Sequence, residues 1–164
     1  MNEADIQNAL KRSVQTEKNA MNFYQIAASH MTDEGAIKTF ELLAREEREH
    51  AEQFFASYEG DDMPSFDAFI DAPPDNESDW LSDLDKTLLA DFSERKAMEL
   101  AMEKEQNLEK SLREMAAKIN DAEVRAVFEA NAKSTHNHYE IIESEYARLM
   151  GMVHETDIDT FVRE

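Results

Sequence analysis

The sequence predicts an all-α fold, an antiparallel four-helix bundle with one long crossover between the second and third helices. Three observations carry this. Glycine and proline are scarce, three of each in 164 residues, while Ala, Glu, Lys, Leu, Met and Arg dominate, a mix that favours helix. Four long segments repeat apolar residues at alternating intervals of three and four, the seam of a helix packed in a bundle. The prolines Pro64, Pro73 and Pro74 all fall in one acidic stretch, "EGDDMPSFDAFIDAPPDNESDW", between the second and third of those segments.

The first seam is Ile6, Leu10, Ser13, Glu17, Ala20, Tyr24, Ala27 and Met31, and the short "MTDEG" turn joins it to the second. That second seam is Ala36, Phe40, Leu43, Glu47, His50, Phe54 and Ser57. The proline-bearing stretch reads as a helix-free connection, and its length predicts a crossover running along the bundle, about residues 59–82, pinned by Phe66, Phe69, Ile70 and Trp80. The third seam is Met98, Ala101, Glu105, Leu108, Leu112, Met115 and Ile119. Asn120 with Glu123 reads as a capping box opening the fourth, whose seam is Val124, Phe128, Asn131, Thr135, His138, Ile142 and Leu149. Gly35, Gly60 and Gly151 are expected at helix ends. The bundle is expected over residues 1–150, and residues 151–164 form a tail that the sequence does not assign.

The two helical hairpins form a weak internal repeat offset by 88 residues. Asp33 maps to Asp121, Phe40 to Phe128, Ala44 to Ala132, His50 to His138, Tyr58 to Tyr146 and Glu17 to Glu105, but Glu47 maps to Thr135.

Composition narrows the partners. With 37 acids against 17 bases the formal net charge is −20, which repels a nucleic-acid backbone or an anionic membrane and favours cations, metals among them. The absence of cysteine removes disulfides and thiolate chemistry and fits a reducing cytoplasm. No segment approaches the ~20 apolar residues of a membrane span, and the first residues lack a leader pattern. A soluble cytoplasmic chain is the expectation.

Each seam turns polar near its middle. With the first turn near residue 32, Glu17 and Glu47 both lie ~22 Å from it at ~1.5 Å per residue, and Glu105 and Thr135 obey the same rule about the second turn. A crossover puts the two turns at opposite ends of a bundle ~45 Å long, so both polar levels meet at its middle, flanked from opposite sides by His50 and His138. Taken singly, a seam glutamate snorkels to the edge, an ExxH match is common among so many acids, and a buried histidine is a satisfied core residue. Tyr24, Met98 and Met115 read as core, "REER" as mostly a solvated face, and His30 and His154 as surface. Meeting at one depth is different: three carboxylates and two imidazoles leave negative charge in a low dielectric, and no Lys or Arg occupies the seams nearby. A bound metal supplies the missing charge. His136 and His138 point to different faces and are no joint chelate. No nucleophile elbow or phosphate-cradling glycine loop is present.

With these residues in view, "SVQTEKNAMNFYQIAA" with Glu17, "FELLAREEREHAEQF" with Glu47 and His50, "LAMEKEQN" with Glu105, and the fourth-helix His138 resemble the rubrerythrin-like branch of the ferritin-like di-iron proteins, over residues 3–150. The resemblance implies that Glu17 and Glu105 are terminal metal ligands, Glu47 a bridge, and His50 and His138 one imidazole per metal. It also makes Glu47 and Glu105 the candidate catalytic carboxylates, shifting as the metal changes charge. Thr135 stands where a second bridging glutamate belongs. The seam neighbours of Glu105 are Met102 and Leu108, not the extra glutamate of rubrerythrins proper, and no rubredoxin module accompanies the bundle. The cofactor implied is iron, as a pair or as one metal because of Thr135; oxygen and nitrogen ligands also suit manganese and admit zinc. The function implied is reduction of peroxide or oxygen, or oxidation of iron, with electrons from an external donor protein and a homodimer by family analogy. The alternatives are a metal-binding or interaction protein with a degenerate site, and iron storage.

Overall fold

The structure is a computed structural model that describes the backbone of residues 1–162 and the side chains of residues 1–151. Six helices follow one another: α1 Glu3–Ser29, α2 Glu34–Ser57, α3 Phe66–Ile70, α4 Asp79–Ala90, α5 Glu94–Lys118 and α6 Ala122–Val162. The long pairs α1/α2 and α5/α6 pack as hairpins, and α2 lies against α6. This is the predicted four-helix bundle with one crossover.

Side-chain caps fix where the helices begin. Asn2 Oδ1 accepts from Asp5 N at 2.9 Å while Asn2 N donates back to Asp5 Oδ2 at 3.3 Å, a capping box on α1. Asp33 accepts from Ala36 N at 2.9 Å to open α2, and Arg148 of α6 donates to the same carboxylate at 2.5 Å. Glu94 Oε1 accepts from the backbone N–H of Thr32 at 2.7 Å and of Asp33 at 3.1 Å. The α1/α2 turn is thus tied to the start of α5 and to α6. At the opposite end, Glu59 N donates to Gln7 Oε1 at 2.8 Å, closing the far end of α2 onto the start of α1. The chain must therefore travel the length of the bundle between α2 and α5.

That connection is more ordered than the sequence reading allows. Residues 59–80 do not form a helix-free link: α3 lies within them, and α4 begins there and runs to Ala90. The prolines stand outside both helices, where they restrict only the flanking loops. Ser65 and Ser78 supply the caps, accepting from Ala68 N at 3.2 Å and Leu81 N at 3.4 Å. Trp80, Leu81 and Leu84 are buried against α1 and α5, and Ile70 is buried as well. Trp80 meets Phe23 edge-on with centroids 5.3 Å apart. This covering explains why α1 buries residues off its seam, including Phe23, Asn22 and Lys18. The Lys18 ammonium donates to Asn22 Oδ1 at 2.8 Å and to Pro73 O at 3.4 Å.

Two end signals also differ. Asp121, not Asn120, caps α6, accepting from Glu123 N at 2.9 Å and Val124 N at 3.2 Å. Gly151 does not end α6, whose backbone continues to Val162. No helix among the described residues is long and apolar enough to cross a membrane.

The seams point inward as their spacing requires. Phe40, Leu43, Phe54, Met98, Ala101, Leu108, Leu112, Phe128 and Ile142 are all buried, as are the polar members Glu17, Glu47, His50, Glu105, Asn131, Thr135 and His138. Aromatic groups bracket the polar level. Tyr24 and Phe40 meet edge-on at 5.0 Å on one side, and Phe54 and Phe128 lie 4.9 Å apart on the other.

Candidate metal centre

Four helices bring five titratable side chains to one place. Glu47 and His50 stand one turn apart on α2 and aim together at the interior, as residues three apart must. His50 Nδ1 lies 3.6 Å from Glu17 Oε2 of α1 and 3.9 Å from Glu47 Oε1. His138 Nδ1 of α6 lies 2.6 Å from the same Glu47 oxygen and 3.9 Å from Glu105 Oε1 of α5. One Glu47 oxygen therefore faces the Nδ1 edge of both imidazoles, with Glu17 on the His50 side and Glu105 on the His138 side. The rings do not flank the level from opposite sides; they stack, with centroids 5.0 Å apart and planes at 10°. Glu47, His50 and His138 can each offer a ligand atom within 4.8 Å of the others.

The outer faces of the histidines are held. His50 Nε2 is 2.8 Å from Ser134 Oγ, and His138 Nε2 is 2.9 Å from Glu46 Oε1. Each contact leaves Nδ1 facing the cluster, the orientation of a metal-ligating histidine fixed from behind. Tyr24 donates its O–H to Glu105 Oε1 at 2.6 Å and leaves Glu105 Oε2 unengaged.

The remaining inner atoms have no partner. Both oxygens of Glu17 and of Glu47, Nδ1 of both histidines, Glu105 Oε2 and Thr135 Oγ1 are buried without a hydrogen bond. The short approach of His138 Nδ1 to Glu47 falls outside hydrogen-bond geometry, although the two atoms are in contact. Buried polar atoms are almost always satisfied. Orphans of two chemical types pointing at one spot are the arrangement expected of ligands aimed at a common cation. Among the described residues, no Lys or Arg forms an ion pair with Glu17, Glu47 or Glu105.

Protons compete for the same positions. Burial, reinforced by the charges of Glu17 and Glu105, raises the Glu47 carboxyl well above its ordinary range. Burial also raises Glu17, but its contacts with Glu47 and His50 outweigh that and leave it lowered. Burial would depress His138, yet Glu105 and Glu47 prevail and push it up to about 11. Burial, then the charges of Glu105 and Glu47, raise Tyr24 well above its ordinary value, so it stays a donor. The residues present fit a divalent metal: carboxylate oxygens, imidazole nitrogens and, among the described residues, no Lys or Arg paired with those carboxylates.

Sequence reasoning singles out the five side chains that meet here and puts Thr135 in the same buried layer. It misses three supports. Tyr24 is core, as read, but its hydroxyl also orients Glu105. Glu46 belongs to the run that reads as mostly a solvated face, yet its side chain, 33% exposed, reaches His138. Ser134 was not singled out. A signal existed: the offset of 88 residues pairs position 46 with position 134, and each supports the histidine of the other half. His136 is half exposed between Glu109 and Glu140, away from the cluster. His30 is exposed beside Phe92, and His154 lies outside the described side chains.

A cavity of about 280 Å³ opens among α1, α5 and α6, with Ser13, Thr16, Glu17, Leu108, Leu112 and Phe128 among its walls. A larger hollow of about 420 Å³ between α1 and α2, lined by Met21, Ile37, Arg45 and Arg48 among others, includes none of the ligands.

The family model named Rubrerythrin matches residues 8–146, a span that contains every residue of the cluster. Neither the curated proteins nor the solved structures yielded a match.

Proposed function

The chain belongs to the rubrerythrin family, and from that premise we propose that it is a non-haem iron protein of the peroxidase or ferroxidase type, working at Glu17, Glu47, His50, Glu105 and His138. One observation carries the reading: the buried, partnerless oxygens and imidazole nitrogens of all five residues face one another. Iron bound there would supply the electrons and the Lewis acidity that break an O–O bond.

The chain's own groups do the rest. Glu47, with one oxygen facing both imidazoles, is the carboxylate placed to be shared, with Glu17 on the His50 side and Glu105 on the His138 side. Glu46 and Ser134 hold the rings so that Nδ1 faces inward. Tyr24 holds one oxygen of Glu105 and leaves the other without a hydrogen bond. The aromatic pairs above and below keep bulk water out, which strengthens every charge interaction inside. The cavity that has Glu17 among its walls offers a small oxidant a way in. Electrons from an external donor protein, a homodimeric state and a cytoplasmic setting belong to the same proposal.

Anaerobic protein loaded with Fe(II) should consume hydrogen peroxide, and Glu47→Ala or His50→Ala should abolish that turnover; variants reacting as fast as the parent would refute the activity. Thr135 favours one second reading, a metal-holding protein of this fold without turnover. Stable metal uptake with no peroxide or oxygen consumption would select it.

A further inference from the structure

The internal repeat offers a comparison within the chain. It pairs Glu47 with Thr135 and Leu43 with Asn131, so a carboxylate and an apolar residue in the first half correspond to two neutral polar residues in the second. Thr135 is fully buried and its Oγ1 has no partner. A helical threonine ordinarily returns its hydroxyl to the carbonyl four residues back. Thr16 does so onto Arg12 O at 3.0 Å, and Thr87 onto Asp83 O at 3.2 Å; Thr135 does not. Asn131, one turn earlier on the same seam, spends its amide nitrogen on Gln53 Oε1 at 3.1 Å and Val127 O at 2.8 Å, which leaves Oδ1 buried and partnerless. A donor thus stands orphaned at the position that is short of a carboxylate, and an acceptor one helical turn before it.

Charge points the same way. This step rests on the metal-centre reading above. Glu17, Glu47 and Glu105 supply three negative charges, so two divalent cations would retain one positive charge in a buried layer, where an uncompensated charge is costly. A threonine side chain is shorter than a glutamate by about a carboxylate group. We propose that Thr135 is the hydroxyl donor of a binding site for a small monoanion, which takes the place of the carboxylate that the second half lacks. Hydroperoxide belongs to this class. The cavity that has Glu17 among its walls also carries Arg12, a cation on that face of an otherwise acidic molecule.

The test uses cobalt(II)-loaded full-length protein titrated with sodium formate and with sodium azide, read by the visible cobalt spectrum and by Tm. The parent should show a saturable spectral change and a rise in Tm. Thr135→Val should weaken anion binding by roughly tenfold or more while cobalt stays bound, the loss expected for one hydrogen bond to a charged ligand. Thr135→Glu should abolish the response, because its own carboxylate fills the site. A parent that binds cobalt without responding to either anion, or a Thr135→Glu variant that responds like the parent, would overturn the proposal and leave the metal centre standing. Failure of the parent to bind cobalt would overturn both.

Discussion

Glu46 and Ser134 show how much of a candidate metal centre lies just off the seams that form it. Glu46 joins a partly exposed carboxylate to His138 Nε2, and so raises the basicity of the nitrogen that faces the cluster. Glu46→Ala is expected to weaken metal binding by roughly 10- to 100-fold with helicity unchanged, as checked by metal titration and circular dichroism. Tyr24→Phe leaves Glu105 Oε1 buried and unpaired; unfolding the metal-free protein in urea should show a loss of about 1–3 kcal/mol. The five clustered side chains are legible because each interrupts an apolar seam and the helix lengths bring those interruptions to one depth. Their supports are not, because Glu46 and Ser134 sit just off the seam, where an acid or a serine in so acidic a chain looks like any solvated residue. Only the pairing of the two halves distinguishes them, and that pairing becomes informative once the histidine orientations are known.

At the level of elements, the long helices followed from periodicity and caps, whereas α4 did not. Its apolar residues Trp80, Leu81, Leu84 and Leu88 recur at helical spacing, but the prolines and acids upstream dominate any local reading, and the reward for forming α4 comes from burial against α1 and α5. Leu84 is fully buried there. Leu84→Ala should cost about 2–5 kcal/mol, measured by chemical unfolding, with metal stoichiometry unchanged, since α4 covers the outside of α1 and contributes no ligand. The misplaced cap at α6 has a similar origin: Asn120 and Asp121 are both good caps, and the choice depends on where Ile119, which is buried, must go. Asp33 carries two duties, capping α2 and receiving Arg148. Asp33→Ala is expected to lower stability by about 0.5–2 kcal/mol through the lost cap.

For the molecule as a whole, pH separates the proton-filled cluster from the metal-filled one. In the metal-free protein Glu47 and His138 bind protons more tightly folded than unfolded. Their contribution is therefore complete below the unfolded values and fades as pH rises, for His138 between 6.5 and about 11. A metal must displace those protons, so its own contribution changes in the opposite sense. The rise in Tm on adding Mn(II) is expected to be larger at about pH 8 than at about pH 6, and a smaller rise at the higher pH would contradict the coupling. The formal charge of −20 adds long-range attraction for cations that salt should screen. The most direct test of the whole account is elemental analysis of protein purified without added metal, beside Glu47→Ala and His138→Ala variants. The account predicts iron in the parent, up to about two per chain, and its loss from both variants. A parent that holds no metal even after anaerobic Fe(II) loading, or variants that retain as much as the parent, would contradict it.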